Sequence, residues 1–176
     1  CSGSKVFTFT YTDCAGNTKD WTYTYTIDVP DFTAPANAGS TVDCLADAKV
    51  APTTPNVTDA CGNAITPVLK TTPADIACSG DMVWVYTYTD CEGNTHDWSY
   101  TYTIDVPDFT APANTGSTVD CLAAAKVAPA TPNVTDACGN AITPVLKTTP
   151  ADIACSGDMV WVYTYTDCEG NAHDWS

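Results

Sequence analysis

Apolar and polar residues alternate along much of the chain, most clearly between Tyr86 and Pro107. Two runs in which aromatic residues alternate with threonine flank a polar segment, Asp90 to Asn94. A period of two places successive side chains on opposite faces of a strand. The pattern therefore predicts a β-hairpin with an aromatic face directed to a core and a threonine face directed to water. On the first strand the core face contains either Val83 or, as the first choice, the alternate set Trp84, Tyr86 and Tyr88. On the second strand it contains Trp98, Tyr100, Tyr102 and Ile104.

The hairpin occurs three times in the chain. The cysteine that precedes it recurs at a constant interval, at Cys1, Cys78 and Cys155. A repeat of roughly 80 residues has the size of a small domain. We predict that residues 1–30 are the C-terminal hairpin of a truncated module and that residues 31–107 are a complete module. Residues 108–176 are predicted to be a second module that lacks its final strand, so that the natural chain continues past both ends.

Short strands with turn signals about every ten residues are typical of a β-sandwich. We expect tandem immunoglobulin-like modules of about seven strands, linked by disulfides and arranged as a rod. Within the complete module the strands are predicted at residues 40–45, 64–69 and 82–89, in addition to the strand after the hairpin turn. Leu45 to Lys49 is the one candidate for a short helix. Pro30 to Pro35 is predicted to be a short, stiff linker, because proline restricts the backbone and cannot donate to a ladder.

The chain has ten cysteines and only two histidines, and it lacks the closely paired ligand spacing of a zinc site. Disulfides, and with them an oxidising extracellular or cell-surface location, are therefore predicted. Pairing Cys78 with Cys91 is excluded if an extended strand of about 26 Å separates them, since bridged Cα atoms lie within about 7 Å. If the chain enters a sandwich at one pole and leaves at the other, the first strand ends at the far pole, where the strand after Cys78 begins. The loops that carry Cys61 and Cys91 then both lie at the near pole. The predicted bonds are Cys44–Cys78, Cys61–Cys91, Cys121–Cys155 and Cys138–Cys168.

The net charge of the chain is −15, and all six basic residues are lysine. Nucleic acids and anionic membranes bind clusters of cations, so neither is expected as a partner. No apolar run approaches the roughly 18 residues that a membrane-spanning helix needs, and we expect no membrane insertion. The acidity is typical of a solvated extracellular surface.

Carboxylate and amide groups cluster in the two turns and the linker that we place at one pole of the complete module. Oxygen ligands from several loops suit calcium, which could stiffen a joint between modules. The competing interpretation is that these side chains cap their own turns, and the chain has no Asp-x-Asp-x-Asp-Gly loop. The candidate calcium ligands are Asp28, Asp31, Asp59, Asn63, Asp90 and Asn94.

Three further kinds of site have weaker support. His96 and His173 occupy equivalent positions, but Lys19 stands there in the first hairpin. No nucleophile has a base partner in the sequence, and no glycine-rich phosphate loop or metalloprotease motif is present. We therefore expect no catalytic residues. The row of Trp98 and Tyr100 could stack on a sugar, although strict alternation with threonine more often marks a core. Asn56 and Asn133 begin N-glycosylation acceptor patterns.

The order of short motifs resembles a known family. Asp31-x-x-x-Pro35 is followed by Val57-Thr-Asp-Ala-Cys-Gly-Asn63 and then by Tyr86-Thr-Tyr-Thr-Asp-Cys-x-Gly-Asn94. This order resembles the hyalin-repeat (HYR) domain in its four-cysteine form, and the resemblance covers the whole chain. It implies an immunoglobulin-like sandwich and a role in adhesion. Similar arrays are found in giant surface proteins of Bacteroidetes, including a mobile gliding adhesin exported by type IX secretion.

Two main functions remain open at this point, beside a third possibility, self-association of edge strands into a bundled filament, which the acidic surface disfavours. The first is a structural segment, a stalk or fibre, of a long extracellular adhesin that holds an adhesive or force-bearing element away from the cell. Its partners would be neighbouring repeats and a cell-surface anchoring and motility machine. The second is that the repeats themselves bind glycan or protein ligands, such as surface polysaccharide, many times over.

Overall fold

The computed structural model describes residues 1–176, which form an all-β protein with two one-turn helices. Neither helix has the length or the apolar character needed to cross a bilayer. The predicted all-β class is therefore confirmed. The elements are β1 (Gly3–Thr12), β2 (Thr18–Ile27), β3 (Ala38–Val42), α1 (Leu45–Ala48), β4 (Val57–Thr58), β5 (Ala64–Ile65), β6 (Val68–Thr71), β7 (Gly80–Thr89), β8 (Thr95–Ile104), α2 (Leu122–Ala125), β9 (Val134–Thr135), β10 (Ala141–Ile142), β11 (Val145–Thr148), β12 (Val162–Thr166) and β13 (Ala172–Trp175).

The strands form several small sheets. In the middle repeat a four-stranded sheet has the order β3-β8-β7-β6, and β4 and β5 form a separate antiparallel pair. The third repeat has a three-stranded sheet, β11-β12-β13, and the pair β9 and β10. The predicted strand over residues 64–69 is divided in two because Pro67 cannot donate to a ladder. The short helix expected at Leu45 to Lys49 is confirmed as α1.

The chain folds into two compact units, whose boundaries fall inside the middle repeat. The first unit contains Cys1–Ala38, Pro52–Pro73 and Val83–Tyr100. The second contains Gly39–Ala51, Ala74–Met82 and Thr101–Ser176.

The core of the first unit lies between the β4–β5 pair and the long strands β7 and β8. Its buried members are Tyr88 and Trp98, which are 0% and 1% exposed, together with Phe32, Val57 and Ile65. Each polar group of the two large aromatic residues has a main-chain partner. The Tyr88 hydroxyl donates to the carbonyl oxygen of Pro55 at 2.7 Å, and the Trp98 indole donates to the carbonyl oxygen of Ala36 at 2.8 Å. Burial raises the pKa of Tyr88.

The predicted aromatic core face is confirmed in the middle repeat. Trp84, Tyr88, Trp98 and Ile104 are buried, and Tyr86, Tyr100 and Tyr102 pack against the buried clusters. Val83, on the alternate face, is 39% exposed. The first hairpin carries the same alternation, and β1 and β2 pair in register from Gly3 with Ile27 to Thr12 with Thr18. Both of its faces are exposed along their length.

The second unit has two hydrophobic clusters. One is the core of the third repeat, formed by Phe109, Val134, Ile142, Tyr165 and Trp175. The other, which we name the junction cluster, contains four buried residues, Ala48, Met82, Ile104 and Val106. Val42, Leu45, Ile76, Cys78, Tyr102 and Cys138 pack against it. Because Cys138 comes from the third repeat and the others come from the middle repeat, the junction cluster holds parts of two repeats together.

The segment that we expected to act as a linker is partly a core segment. Phe32 lies between Pro30 and Pro35 and is 6% exposed within the core of the first unit. Its ring contacts His96 edge to face, with the centroids 4.8 Å apart. Phe109, one repeat later, is 5% exposed in the core of the third repeat and contacts His173 in the same way. Burial of the phenylalanine attaches the segment to the repeat that follows it.

Candidate functional site: the cysteine-bearing junction between repeats

A five-residue loop of the form Asp-x-x-Gly-Asn carries the cysteines at one end of each repeat. In the loop that begins at Asp59, Oδ1 accepts hydrogen bonds from the main-chain N–H groups of Cys61 and Asn63, at 2.9 and 2.8 Å. Oδ2 accepts a third from the Asn63 side-chain amide at 2.8 Å. Gly62 adopts a φ of 84°, a conformation that favours glycine. The same loop also begins at Asp13, Asp90, Asp136 and Asp167.

These hydrogen bonds stabilise the ionised carboxylate. The side-chain amide of Asn63 and the main-chain N–H groups lower the pKa of Asp59 below its ordinary value. The amide of Asn94 has the same effect on the pKa of Asp90. Each loop is therefore a preformed turn, and it presents its cysteine on a constrained backbone.

Two of these loops are bonded to the preceding repeat. Cys138 forms a disulfide with Cys44, 94 residues earlier, and Cys168 forms one with Cys78, 90 residues earlier. The Cα atoms are 5.6 Å apart in both bonds, within the usual range for a disulfide. Cys44 immediately precedes α1, and Cys78 lies two residues before β7. Both bonds therefore join the end of the middle repeat to the loops of the third repeat.

The predicted pairing within modules is therefore wrong for these four cysteines. Cys44 is not bonded to Cys78, and Cys138 is not bonded to Cys168. The reason lies in the junction cluster, where Cys78 and the loop cysteine Cys138 pack against the same apolar residues. Cys138 and Cys168 of the third repeat lie at this end of the middle repeat, so the disulfides form between repeats. The other four cysteines assigned to bonds, Cys61, Cys91, Cys121 and Cys155, are exposed thiols in the structure.

The main chain at this junction is held on both sides. Val106 is 7% exposed in the junction cluster, and Phe109, three residues later, is 5% exposed in the core of the third repeat. Between them, Asp108 contacts Nε2 of His173 at 2.9 Å. The corresponding contact one repeat earlier joins Asp31 to His96, also at 2.9 Å. Within the second unit, two disulfides and a connecting segment with buried residues on both sides therefore join the junction cluster to the third repeat.

The candidate calcium ligands are mostly used by their own loops. Both oxygens of Asp59 and of Asp90 accept hydrogen bonds from the same turn, and Asn63 and Asn94 donate those bonds. Asp31 contacts His96, and Asp28 is exposed. One group of three potential metal-ligating Asp, Glu, His or Cys side chains comes together, and it consists of Cys1, Cys91 and Glu92. The turn-capping interpretation accounts for the observed geometry, and the calcium site stays a prediction.

The structure shows how far Trp98 and Tyr100, the candidate sugar-stacking residues, are exposed. Trp98 is 1% exposed, so its ring is part of the core and is not presented to a ligand. Tyr100 packs against the same core. In the first hairpin the equivalent residues, Trp21 and Tyr23, are about half exposed, at 51% and 47%.

The family of the chain follows from its repeats. The family described as "HYR-like domain with 4 cysteines" matches residues 1–27, 32–104 and 109–176. The chain belongs to this family. Of the four cysteines in each of the middle and third repeats, two in each join one HYR-like domain to the next in the structure.

The chain is also similar to two sea-urchin proteins named Hyalin. It is 27% identical over 184 residues to the one from Lytechinus variegatus, in an alignment that covers 96% of this chain and 35% of the relative. It is 27% identical over 177 residues to the one from Strongylocentrotus purpuratus, covering 93% of this chain and 15% of the relative. The chain therefore spans about a third or less of the length of these relatives.

Proposed function

We propose that the chain is a structural repeat segment of a long extracellular adhesin, in which cross-repeat disulfides carry tension along a stalk. The observation that supports this most strongly is the pair of bonds between consecutive repeats, Cys44–Cys138 and Cys78–Cys168. Disulfides inside one module would stabilise that module alone. Bonds between modules also limit how far the array can extend when a module unfolds. The parent protein that we propose is a giant surface adhesin of the gliding Bacteroidetes type, exported by type IX secretion.

The connecting segment supports the same proposal. A spacer that transmits force needs joints with little freedom, and Val106 and Phe109 fix the joint by burial on its two sides. An extracellular location agrees with the disulfides, since such bonds persist in oxidising compartments. The acidic surface, with a net charge of −15, disfavours lateral association of neighbouring stalks.

Single-molecule stretching tests this function. The Cys1→Ser variant, held by peptide tags at its two ends, isolates the two observed bonds. In the oxidised state the bond from Cys44 to Cys138 removes 94 residues from the stretched chain. At about 3.3–3.6 Å per residue, the fully extended oxidised chain should be about 310–340 Å shorter than the reduced chain.

Other results would contradict the proposal. Bonds within repeats would remove only the shorter segments from Cys44 to Cys78 and from Cys121 to Cys155. The difference would then be about 225–245 Å at the same length per residue. Equal lengths in the two redox states would show that the bonds do not form at all.

The second candidate function is multivalent binding of surface polysaccharide or protein by the repeats themselves. It is favoured by the tandem, nearly identical copies, which would present one weak site many times. Titration of the oxidised chain with cell-surface polysaccharide separates the two functions. Saturable binding would favour the binding function, and absence of binding at millimolar sugar would favour the stalk.

A further inference from the structure

The first and middle repeats also meet through a pair of cysteines. The Cys1 thiol donates to the main-chain carbonyl oxygen of Cys91 at 3.0 Å, and their sulfur atoms lie within 4.8 Å of each other. Both cysteines are exposed, so an oxidant can reach them. The main chain is also held here, since the Ser2 hydroxyl donates to Glu92 at 2.6 Å and the Ser2 N–H donates to the other oxygen of the same carboxylate.

The same arrangement occurs one repeat later as a completed disulfide. Cys78 and Cys168 occupy the positions in their repeats that Cys1 and Cys91 occupy one repeat earlier. The bonded pair also has a glutamate beside it, because Oε1 of Glu169 lies 3.6 Å from the Cys78 sulfur. Glu169 is the residue equivalent to Glu92. Each site thus contains two equivalent cysteines, an equivalent glutamate and an Asp-x-x-Gly-Asn loop. The two sites differ in whether the disulfide is present.

We propose that Cys1 and Cys91 form a third disulfide between repeats. In the reaction a disulfide oxidant such as oxidised glutathione takes two electrons and two protons from the two thiols. The new S–S bond joins Cys1 to Cys91, and the oxidant leaves as two thiols. This inference extends the proposed stalk function, because it makes the cross-repeat bond a rule of the array and not a feature of one junction.

With the third bond, a short covalent route joins Cys1 to Cys168 through two disulfides and one segment of the chain. From Cys1 the route crosses to Cys91, follows β7 back to Cys78 and crosses to Cys168. Only the short segment from Cys78 to Cys91 separates the two bonds along this route. Most of that segment is already extended, because it contains the whole of β7. Tension applied to Cys1 and Cys168 would therefore bypass the rest of the middle repeat, which could open without lengthening the stalk.

Thiol counting and peptide mapping test the bond directly. The oxidised chain is denatured and alkylated at acidic pH, so that disulfides do not exchange, and then digested without reductant. We expect a peptide that links Cys1 to Cys91 and four free thiols among the ten cysteines. Cys1→Ser should raise the number of free thiols to five by releasing Cys91. Cys14→Ser, a change at another exposed cysteine of the first hairpin, should lower it to three and leave the linked peptide unchanged.

The stretching experiment gives a second readout. Without the third bond, the route from Cys1 to Cys168 contains the two chain segments from Cys1 to Cys44 and from Cys138 to Cys168. With the bond, it contains only the segment from Cys78 to Cys91. The oxidised native chain should therefore extend about 200–215 Å less than the oxidised Cys1→Ser variant.

Each possible outcome has a defined meaning. Six free thiols, or a link from Cys1 to Cys14, would overturn the inference. So would a chain whose Cys1 and Cys91 bind Zn²⁺ together with Glu92 and resist oxidation. The same peptide map reports Cys44–Cys138 and Cys78–Cys168 separately. Loss of those two links would refute the proposed function, whereas loss of the Cys1–Cys91 link alone would refute only this inference.

Discussion

Replacing Phe32 with alanine should destabilise the middle repeat strongly, although Phe32 lies in a segment with the sequence of a linker. The side chain is 6% exposed and packs with Tyr88, Trp98 and the β4–β5 pair. Removing a buried phenylalanine side chain costs about 3–5 kcal/mol, which includes the lost transfer free energy and the cavity left behind. A loss of this size is a large share of the stability of a small domain, about 5–15 kcal/mol.

Hydrogen–deuterium exchange measured by mass spectrometry reports this loss in each repeat separately. Amides of β7 and β8 that exchange through opening of the middle repeat should lose protection by about 100- to 4,000-fold in Phe32→Ala. Amides of β12 and β13 serve as the internal reference. Thr33→Ala changes the neighbouring exposed residue and should alter protection by less than about threefold. If Phe32→Ala behaves like Thr33→Ala, the segment is a free linker and the burial argument is wrong.

Three further outcomes are expected. Tyr88→Phe should cost about 0.5–1.5 kcal/mol in urea unfolding, because it removes the hydrogen bond that the Tyr88 hydroxyl donates to the carbonyl oxygen of Pro55, and an unchanged midpoint would contradict that role. Gly39→Ala should cost about 1–3 kcal/mol, because the added Cβ would lie 2.5 Å from the carbonyl oxygen of Thr101. Gly116→Ala is the matched control from the next repeat, has no atom within 4 Å of its Cβ, and should be nearly neutral in the same assay. Asp90 has a pKa below its unfolded value, so its contribution to stability is complete above about pH 4 and declines as the pH falls through the lower folded value. Asp90→Asn should therefore lower the thermal midpoint at pH 7 and narrow the difference between pH 7 and pH 3, and a difference as large as in the native chain would contradict this.

The fold class could be predicted from the sequence because the information is local. Alternation of aromatic residues with threonine defines a strand and its buried face, and Trp98 and Tyr88 are buried where the alternation places them. The Asp-x-x-Gly-Asn loops could be predicted for the same reason, since the aspartate, glycine and asparagine of a turn satisfy one another within the loop itself.

For the segment from Pro30 to Pro35, the sequence could predict a restricted backbone but not the burial of Phe32. Prolines in the segment from Pro30 to Pro35 indicate restricted backbone, and that property depends on the residues themselves. Whether Phe32 is free or buried depends on the space left between β4, β5 and the long strands, and that space exists only in the folded repeat. A signal was present, because an aromatic residue in a short polar linker occurs again at Phe109.

The sequence alone determined that the chain is a tandem array of all-β repeats with four cysteines in each of the middle and third repeats, and only the tertiary structure decided which cysteines pair. The constant repeat length makes Cys61 and Cys138 equivalent in sequence, so local pattern cannot say whether Cys44 reaches a loop of its own repeat or of the next. The answer depends on which sulfur atoms arrive at the junction cluster, and there the structure places Cys138. Disulfide partners are selected by proximity in space, a property of the packed junction that a periodic sequence leaves undetermined.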